Sequence, residues 1–424
     1  MIADIAIRHR DEDQMPTRQT LFAILFILAV CCGTAATCSA GKLITLHNFN
    51  GADGSGPAAG VTLDGQGNVY GTTAFGEAAG QGSVYKIDLA TGVFTNLVRL
   101  STFIGAYPMA GVTFDSQGNL YGTTALGASD GLPQANTYGS VFEIAHGSGP
   151  FSTVVNFTGV DGSGPSGLSI DSQGNFYGTT ELGGQYGSGT VFEISHSGTL
   201  TTLFNFKGPN VSNPVGGVVL DGQGNLYGVA GGGLGGSVYE INHLTGVYST
   251  IAVFTGTNGS DPNGVAIDSH GNLFGTTAGG GLYGLGTAFE INHLTGVLHT
   301  LANFNGSNGS DPNGVTLDVH GNLYGTTYNG GSNKDGTLYE ISNLTGVLTT
   351  LVSFTAANAS PNGGLTIDTQ GNLYGTSFGG GTGNDGSVFE LAAPEPSTLV
   401  LLAISLACAL PFALIRRGDS GRGK

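Results

Sequence analysis

The sequence predicts an all-β fold, a seven-bladed β-propeller with four strands in each blade. Three observations predict it. An eleven-residue phrase recurs seven times, each period reads as four short strands, and the two ends of the repeat region complement each other. The 424 residues include 77 glycines and no tryptophan, and only 10% are charged. This composition is typical of many short strands joined by tight turns.

The recurring phrase is exemplified by LDVHGNLYGTT at residues 317–327. Its second residue is an aspartate in all seven copies, and these aspartates lie 47 to 56 residues apart: Asp64, Asp115, Asp171, Asp221, Asp268, Asp318 and Asp368. A fixed period of this size indicates a propeller, a solenoid or another repeat array.

Each period contains four segments, a to d, that read as strands. In the sixth period they are residues 314–318, 322–327, 337–341 and 347–354, all rich in β-branched and aromatic residues. The aspartate of the a–b connection can accept hydrogen bonds from backbone amides two residues on, and the following glycine supplies a positive φ. We therefore interpret the seven aspartates as turn residues, since one carboxylate per turn falls short of a calcium site.

The ends of the repeat region distinguish a propeller from a solenoid. The first strand, residues 43–49, reads as a lone strand d, whereas the seventh period stops after its strand c at residues 387–391. Pairing of the two would complete a seventh blade and remove the exposed edges of an open array. A solenoid would instead need distinct capping repeats. The predicted propeller spans residues 41–393.

The first forty residues predict a secretory signal peptide, residues 1–40. Arg8, Arg10 and Arg18 precede an apolar run at residues 21–31, and small residues follow up to Ala40. A charged region, an apolar region and a small-residue cleavage site in this order are typical of such a leader.

The C-terminal segment, residues 394–424, predicts a second targeting signal. It opens with Pro394, Glu395 and Pro396, continues with an apolar run at residues 398–415, and ends in a basic tail. The run predicts a transmembrane helix with the preceding chain outside the cytoplasm. The segment resembles the PEP-CTERM sorting signal of Gram-negative bacteria. That resemblance implies an exosortase as a partner, cleavage near residues 394–396, and release from a transient inner-membrane anchor to the cell surface or extracellular matrix.

The repeats themselves resemble the Gloeobacter–Verrucomicrobia (GloVer) tandem repeat through the phrases GNLYGTT, GSVFEI and TTLFNF, over nearly all of residues 43–391. The resemblance implies an exported surface protein and supplies no catalytic residues. A weaker likeness extends to gluconolactonase-like and streptogramin-lyase-like propellers, which share a D-x-x-G-N turn.

Charge and cysteine content exclude several classes of function. Residues 41–393 contain five Lys and Arg against 23 Asp and Glu, so their balance is 5 − 23 = −18. Such a surface repels nucleic acid and anionic lipid, which rules out a nucleic-acid partner. All four cysteines lie in the end segments, so no disulfide is expected in the propeller.

Candidate binding residues lie in the acidic, glycine-rich d–a loops. Asp53, Asp161, Asp261 and Asp311 belong to similar Gly-to-Pro segments at residues 51–57, 159–165, 256–262 and 306–312. These carboxylates suit calcium or sugar hydroxyls, and they equally suit solvated turns, because the ligand count is below that of a defined calcium loop. No other cofactor is predicted.

Departures from the repeat pattern give further candidates. Repeat 2 has the longest b–c loop, residues 125–139, which contains Asp130 and Tyr138 and is the preferred binding feature. Lys86 replaces a glutamate that strand c carries in the other six repeats. His243, His270, His293 and His320 occupy repeat-equivalent turn positions without clustered zinc ligands, so we interpret them as scaffold, and His47 and His299 lie on the outer d strands.

Two functions remain open at this stage. The first is a non-enzymatic surface module that binds a glycan, such as exopolysaccharide, or a surface protein. The second is an exported lyase or hydrolase acting on polysaccharide or lactone at the mouth of the propeller channel. Enzymatic propellers need converging titratable side chains at that mouth. Strand a and its flanks are mainly small or aliphatic, which favours the first function.

Overall fold

The structure is a computed structural model that describes residues 41–76, 80–128, 138–208, 211–233, 235–381 and 383–393. These residues belong to one compact unit, Gly41–Ala393. The predicted signal peptide, the sorting segment with its span at residues 398–415, and Asp130 lie outside the described residues. The only helices within them are two three-residue 3₁₀ turns, so none is long and apolar enough to cross a membrane.

Seven four-stranded antiparallel sheets make up the fold. Blade 1 contains β2 Thr62–Leu63, β3 Asn68–Thr73, β4 Ser83–Asp88 and β5 Phe94–Arg99. Blade 2 contains β6 Thr113–Phe114, β7 Leu120–Thr124, β8 Ser140–Ile144 and β9 Phe151–Asn156. Blade 3 contains β10 Ser163–Ile170, β11 Phe176–Leu182, β12 Thr190–Ile194 and β13 Leu200–Asn205. Blade 4 contains β14 Ser212–Leu220, β15 Leu226–Gly231, β16 Ser237–Ile241 and β17 Tyr248–Val253.

The remaining blades follow the same order. Blade 5 contains β18 Ser260–Ile267, β19 Leu273–Gly279, β20 Thr287–Ile291 and β21 Leu298–Asn303. Blade 6 contains β22 Ser310–Leu317, β23 Leu323–Asn329, β24 Thr337–Ile341 and β25 Leu348–Ser353. Blade 7 contains β26 Thr366–Ile367, β27 Leu373–Ser377 and β28 Ser387–Leu391, and its fourth strand is β1 Leu43–Asn48. The prediction of a seven-bladed β-propeller is confirmed.

Ring closure also follows the prediction. Strand β1 pairs antiparallel with β28, from Leu43 opposite Leu391 to Asn48 opposite Ser387. The first strand ends one residue before the predicted residue 49, because Phe49 turns its side chain into the core while its N–H donates to Gly386 O at 3.0 Å. Strand a of blade 6 begins at Ser310 rather than at residue 314, because Ser310 pairs with Asn329 on the adjacent strand b.

The hydrophobic core lies between neighbouring blades. The aromatic residue of each strand c is fully buried: Tyr85, Phe142, Phe192, Tyr239, Phe289, Tyr339 and Phe389. Each ring packs against the glycine of the GTT, GVA or GTS phrase on strand b. At Gly122, for example, a methyl group would lie only 2.5 Å from the Phe142 ring. The glycine in the recurring phrase therefore makes room for the main core ring of its own blade.

Candidate functional site

The propeller has two different ends. The a–b and c–d turns lie together on one end, which we call the turn face: Leu89 N–H, after strand c, donates to Gly67 O in the a–b turn at 3.2 Å. The b–c and d–a loops lie together on the other end, the loop face: Gly184 N–H, in a b–c loop, donates to Gly159 O in a d–a loop at 2.9 Å. The predicted sites Asp53, Asp161 and Tyr138 belong to the loop face.

On the turn face, the repeated aspartate organises its own turn. Asp171 accepts the backbone N–H groups of Gln173 at 2.8 Å and Asn175 at 2.9 Å, the Asn175 side-chain amide at 2.8 Å, and the Tyr177 hydroxyl at 3.1 Å. Asn175 Oδ1 then accepts the N–H of His196 in the c–d turn at 3.0 Å. The aspartate and asparagine of the phrase thus join the two turns of one blade, as a structural role requires.

These contacts determine the charge state of the aspartate. Burial raises the pKa of Asp171, but the hydrogen bonds from Asn175, Gln173 and Tyr177 together outweigh it and leave that pKa below its usual value. The same balance lowers the pKa values of Asp64, Asp115 and Asp221. The carboxylates are therefore ionised and already occupied by protein donors.

Grooves open between adjacent blades on the turn face. The groove between blades 2 and 3 has a volume of about 680 Å³ and is lined by Asp115, Tyr121, Glu143, Asp171 and His196, among others. In most blades the strand-c glutamate lies directly opposite the strand-b tyrosine, as in the pair Tyr177 and Glu193. The grooves are therefore acidic.

Lys86 changes the groove between blades 1 and 2. Its Nζ lies 5.8 Å from the centre of the Tyr70 ring, a cation–π contact. Burial, together with Asp64, raises the pKa of Tyr70 to about 12. This groove is the one place on the turn face, within the described chain, where a lysine takes the glutamate position.

On the loop face, Asp53 and Asp161 point back into their own loops. Asp53 accepts the backbone N–H of Asn50 at 3.0 Å, and Asp161 accepts the backbone N–H of Thr158 at 2.8 Å. Asn258 plays the same part in blade 5, accepting the N–H of Thr255 at 2.8 Å. Because an uncharged asparagine can replace the aspartate, the position serves backbone capping.

Asp261 and Asp311 occupy a different position from Asp53 and Asp161. They lie inside strands β18 and β22 with φ of +57°, directly before Pro262 and Pro312. Glycine holds the equivalent position in blade 1, at Gly56 with φ of +60°. Burial raises the pKa of Asp311. The four predicted aspartates therefore form two structural pairs on four separate blades, and the fold does not bring them together.

Tyr138 lies at the junction of two blades. It closes the b–c loop of blade 2, and a methyl group at Gly159 in the next d–a loop would lie 2.7 Å from its ring. Its backbone oxygen accepts the N–H of Gly164 at 3.0 Å, and the residue is 42% exposed. The fold thus places Tyr138 against the loop that contains Asp161, whereas Asp130 lies outside the described residues.

A series of aromatic residues, four of them exposed and two half-buried, occupies the loop-face connections from blade 7 to blade 3. We call it the aromatic arc; it consists of Phe378, Phe75, Tyr107, Phe103, Tyr138 and Tyr186. A methyl group at Gly56 would lie 3.1 Å from the Phe75 ring and 3.2 Å from the Phe378 ring, so the two rings flank this glycine. The Phe75 and Tyr107 ring centres are 6.0 Å apart. Phe103 is 74% exposed.

Next to the arc, the central channel opens on the loop face in a cavity of about 450 Å³. Small residues and asparagines line it, including Ala59, Gly167, Asn263 and Asn313, and Glu181 is the only titratable residue among the described lining residues. Backbone oxygens here are already bonded between blades: the Thr179 hydroxyl donates to Gly216 O at 2.5 Å. The cavity therefore offers shape and neutral amides rather than an acid–base pair.

The described residues contain no group of three or more His, Cys, Asp or Glu side chains that could hold a metal ion, so they provide no ligand cluster for the calcium hypothesis. The aromatic arc, by contrast, was not predicted as a unit. Its members occupy non-equivalent loop positions, and only ring closure brings Phe378 beside Phe75. A count of aromatic residues in the b–c and d–a loops of repeats 1, 2, 3 and 7 would have found its members.

These features define a seven-bladed β-propeller with an aromatic loop face. The chain belongs to the Gloeobacter/Verrucomicrobia repeat family, which matches it in three tandem segments, residues 33–133, 129–236 and 230–420. No curated protein matches the chain.

Two solved structures illustrate the range of similar folds. One chain of a nidogen/laminin complex matches 65% of this chain and 90% of its own length, with 17% identity and a TM-score of 0.44. A gluconolactonase from Xanthomonas campestris matches 85% of this chain and 93% of its own, with 14% identity and a TM-score of 0.45.

Proposed function

We propose that this protein is an exported, non-enzymatic binding module whose loop face binds a polysaccharide chain in the cell-surface matrix. The observation that carries the proposal is the aromatic arc beside a channel mouth whose described lining residues include a single titratable group, Glu181. Contiguous exposed apolar surface on a soluble domain is typical of an interaction site. Aromatic rings contribute broad contact area at little entropic cost, and their electron-rich faces suit the C–H groups of a sugar ring.

The charge of the propeller limits which class of glycan can bind. With a balance of −18 over residues 41–393, the domain repels polyanions such as uronic-acid polymers. The loops around the arc carry neutral polar side chains, among them Gln81, whose Oε1 accepts the N–H of Thr102 at 2.7 Å. A neutral polysaccharide therefore fits this face best.

The channel mouth supports a binding role over catalysis. Lyases and hydrolases need at least two groups that exchange protons with the substrate. Glu181 is the single such group among the described residues of the mouth. The repeated turn-face aspartates accept hydrogen bonds from their own turns, which leaves them as scaffold.

A binding assay on the full chain tests the proposal. Neutral and uronate polysaccharides would be titrated in calcium and then in EDTA, with product chain length measured in parallel. We expect saturable binding to a neutral polymer that EDTA leaves unchanged. The double variant Phe75→Ala/Phe103→Ala should weaken binding at least tenfold, whereas Val319→Ala, 96% exposed on the turn face, should not. Shortening of the polymer would contradict the non-enzymatic role. Binding to a protein but to no polysaccharide would contradict the proposal that the ligand is a glycan.

The localisation of the protein at the cell surface is part of the same proposal. The signal peptide at residues 1–40 and the Pro394-Glu395-Pro396 segment support export, followed by exosortase processing to the surface of a Gram-negative cell. Mass spectrometry of the cell-surface and matrix fractions would test it. We expect a mature N-terminus near residue 41 and a C-terminus near residue 395. An intact chain recovered from the cytoplasm would contradict it.

A further inference from the structure

Three leucines project from equivalent turns on one side of the turn face. Leu244, Leu294 and Leu344 occupy the c–d turns of blades 4, 5 and 6, and they are 88%, 89% and 92% exposed. The repeat does not require leucine there, since the c–d turn of blade 3 has Ser197 instead. Large apolar side chains so fully exposed, on three consecutive blades, indicate a contact surface. We call this row the leucine rim.

The described chain leaves the propeller beside the leucine rim. In blade 7, the place of the c–d turn is taken by the two chain ends: Ala392 N–H donates to Lys42 O at 3.2 Å. Ala393 N–H donates to Asn372 Oδ1 at 2.8 Å, as His293 N–H does to Asn272 Oδ1 in blade 5. The chain therefore exits from the position equivalent to the leucine-bearing turns, in the blade next to Leu344.

The sequence beyond this exit is apolar. Only four residues, 394–397, separate Ala393 from the 18-residue apolar run at residues 398–415. A run of this length suits the hydrocarbon core of a bilayer. So short a connection keeps the turn face near the surface that the run enters, because four extended residues reach at most about 14 Å.

We propose that the leucine rim contacts the lipid surface while the chain carries its C-terminal segment, so that the propeller rests on blades 4 to 6 and presents the aromatic arc outward. The three rim turns, residues 242–247, 292–297 and 342–347, suit this contact. Each contains Thr, Gly and Val besides leucine, and none contains an acidic residue. Val247, Val297 and Val347 are 46% to 57% exposed and widen the apolar surface. A lipid surface of low charge is the fitting occupant, since the acidic propeller repels anionic lipid.

The absence of tryptophan from the chain makes a direct test simple. The full chain would be reconstituted into phosphatidylcholine vesicles as three single-tryptophan variants. Leu294→Trp reports on the rim, Ser197→Trp on the polar turn of blade 3, and Phe103→Trp on the loop face. Brominated phosphatidylcholine quenches a tryptophan that touches the acyl chains. We expect at least twofold stronger quenching, with a blue-shifted emission, for Leu294→Trp than for either control.

Other outcomes would overturn the proposal. Equal quenching of all three variants would contradict the contact between the leucine rim and the lipid. A chain that does not float with the vesicles would contradict it as well. Shielding of Leu294→Trp from aqueous iodide in detergent, increasing with protein concentration, would show that a second copy covers the rim instead. Leu344→Trp repeats the measurement on blade 6 in case one variant misfolds, which circular dichroism would reveal.

Discussion

Pro57 packs against Gly386 where the ring closes. A methyl group at Gly386 would lie 2.5 Å from Pro57 Cδ, and the neighbouring Gly56 N–H donates to Asp385 O at 2.8 Å. The same pair recurs between every two neighbouring blades, with the proline of one blade against a glycine before strand c of the previous one: Pro108 and Gly82, Pro165 and Gly139, Pro214 and Gly189, Pro262 and Gly236, Pro312 and Gly286, Pro361 and Gly336. Each glycine has a positive φ.

The Gly386→Ala variant should weaken ring closure. The new methyl group would lie 2.5 Å from both Pro57 Cδ and Ser377 O, and residue 386 has a φ of +92°, so we expect a loss of about 3 kcal/mol in the free energy of unfolding. Gly198 is the matched control, because it has φ of +85° with nothing within 4 Å of a methyl group. Gly198→Ala should cost only about 1 kcal/mol. Equal losses in urea unfolding would show that the crowding against Pro57 and Ser377 contributes nothing.

The Tyr239→Phe variant should stabilise the protein. The Tyr239 hydroxyl is buried and has no hydrogen-bond partner among the described residues, as at Tyr85 and Tyr339. Blades 2, 3, 5 and 7 have phenylalanine at this position. Removing the unpaired hydroxyl should raise the free energy of unfolding by about 1 kcal/mol. Tyr227→Phe in the same blade removes the hydroxyl bonded to Asp221 at 3.1 Å and should lower it instead. Urea titrations showing the same sign for both would contradict this account.

The fold could be predicted from sequence because each strand repeats a pattern that local chemistry determines. The phrase with Asp318 and Asn322 predicts its turn, and the unpaired segments at residues 43–49 and 387–391 predict ring closure. Both depend on residues close in sequence or on simple counting of strands. The predicted first strand therefore ends within one residue of the observed strand β1.

The candidate site was harder to predict because it depends on contacts between blades. Asp53 and Asp261 lie in similar Gly-to-Pro segments, yet Asp53 matches Asn258 in the structure and Asp261 matches Gly56. The shared glycine and proline suggested an equivalence that the backbone does not have. The placement of Phe75 and Phe378 on either side of Gly56 likewise brings together opposite ends of the chain, and no local pattern connects them.

His47 should make stability depend on pH. Its ring stacks on Phe94 at 3.9 Å, and its Nε2 lies 3.2 Å from Asp53 Oδ2. Burial lowers the pKa of His47 below 6.5 despite the attraction of Asp53. Because the folded pKa is below the unfolded one, the unfolded chain binds the proton more readily. Stability is therefore full above pH 6.5 and decreases as the pH falls through 6.5 towards the folded pKa.

The His47→Phe variant tests this dependence. Phenylalanine suits the position, since Phe204 in blade 3 stacks on Tyr248 at 4.3 Å in the same way. Urea unfolding at pH 7.5 and pH 5.5 should show a smaller pH-dependent loss for His47→Phe than for the natural protein. His299→Gln, at an exposed position on β21, should leave the loss unchanged. A variant that keeps the full loss would show that other groups cause it.

Asp171 should contribute stability that disappears in acid. Its pKa lies below the usual value because hydrogen bonds to the carboxylate outweigh its burial. Its contribution is therefore present above about pH 4 and is lost as the pH falls through the folded pKa. Asp171→Asn replaces the oxygen that accepts from Asn175 and Tyr177 by a donor, so we expect a loss of about 2 kcal/mol at pH 6 that shrinks towards pH 3.

Blade 5 supplies the comparison for Asp171. Asp268 accepts the same two backbone amides and the Asn272 side chain, but Phe274 replaces the tyrosine, so one hydrogen bond is missing. Asp268→Asn should therefore cost less than Asp171→Asn in urea unfolding at pH 6. Equal losses would show that the tyrosine hydroxyl adds nothing to the turn. If the Asp171→Asn loss persisted unchanged at pH 3, packing of the turn rather than the charge of Asp171 would hold the two connections of the blade together.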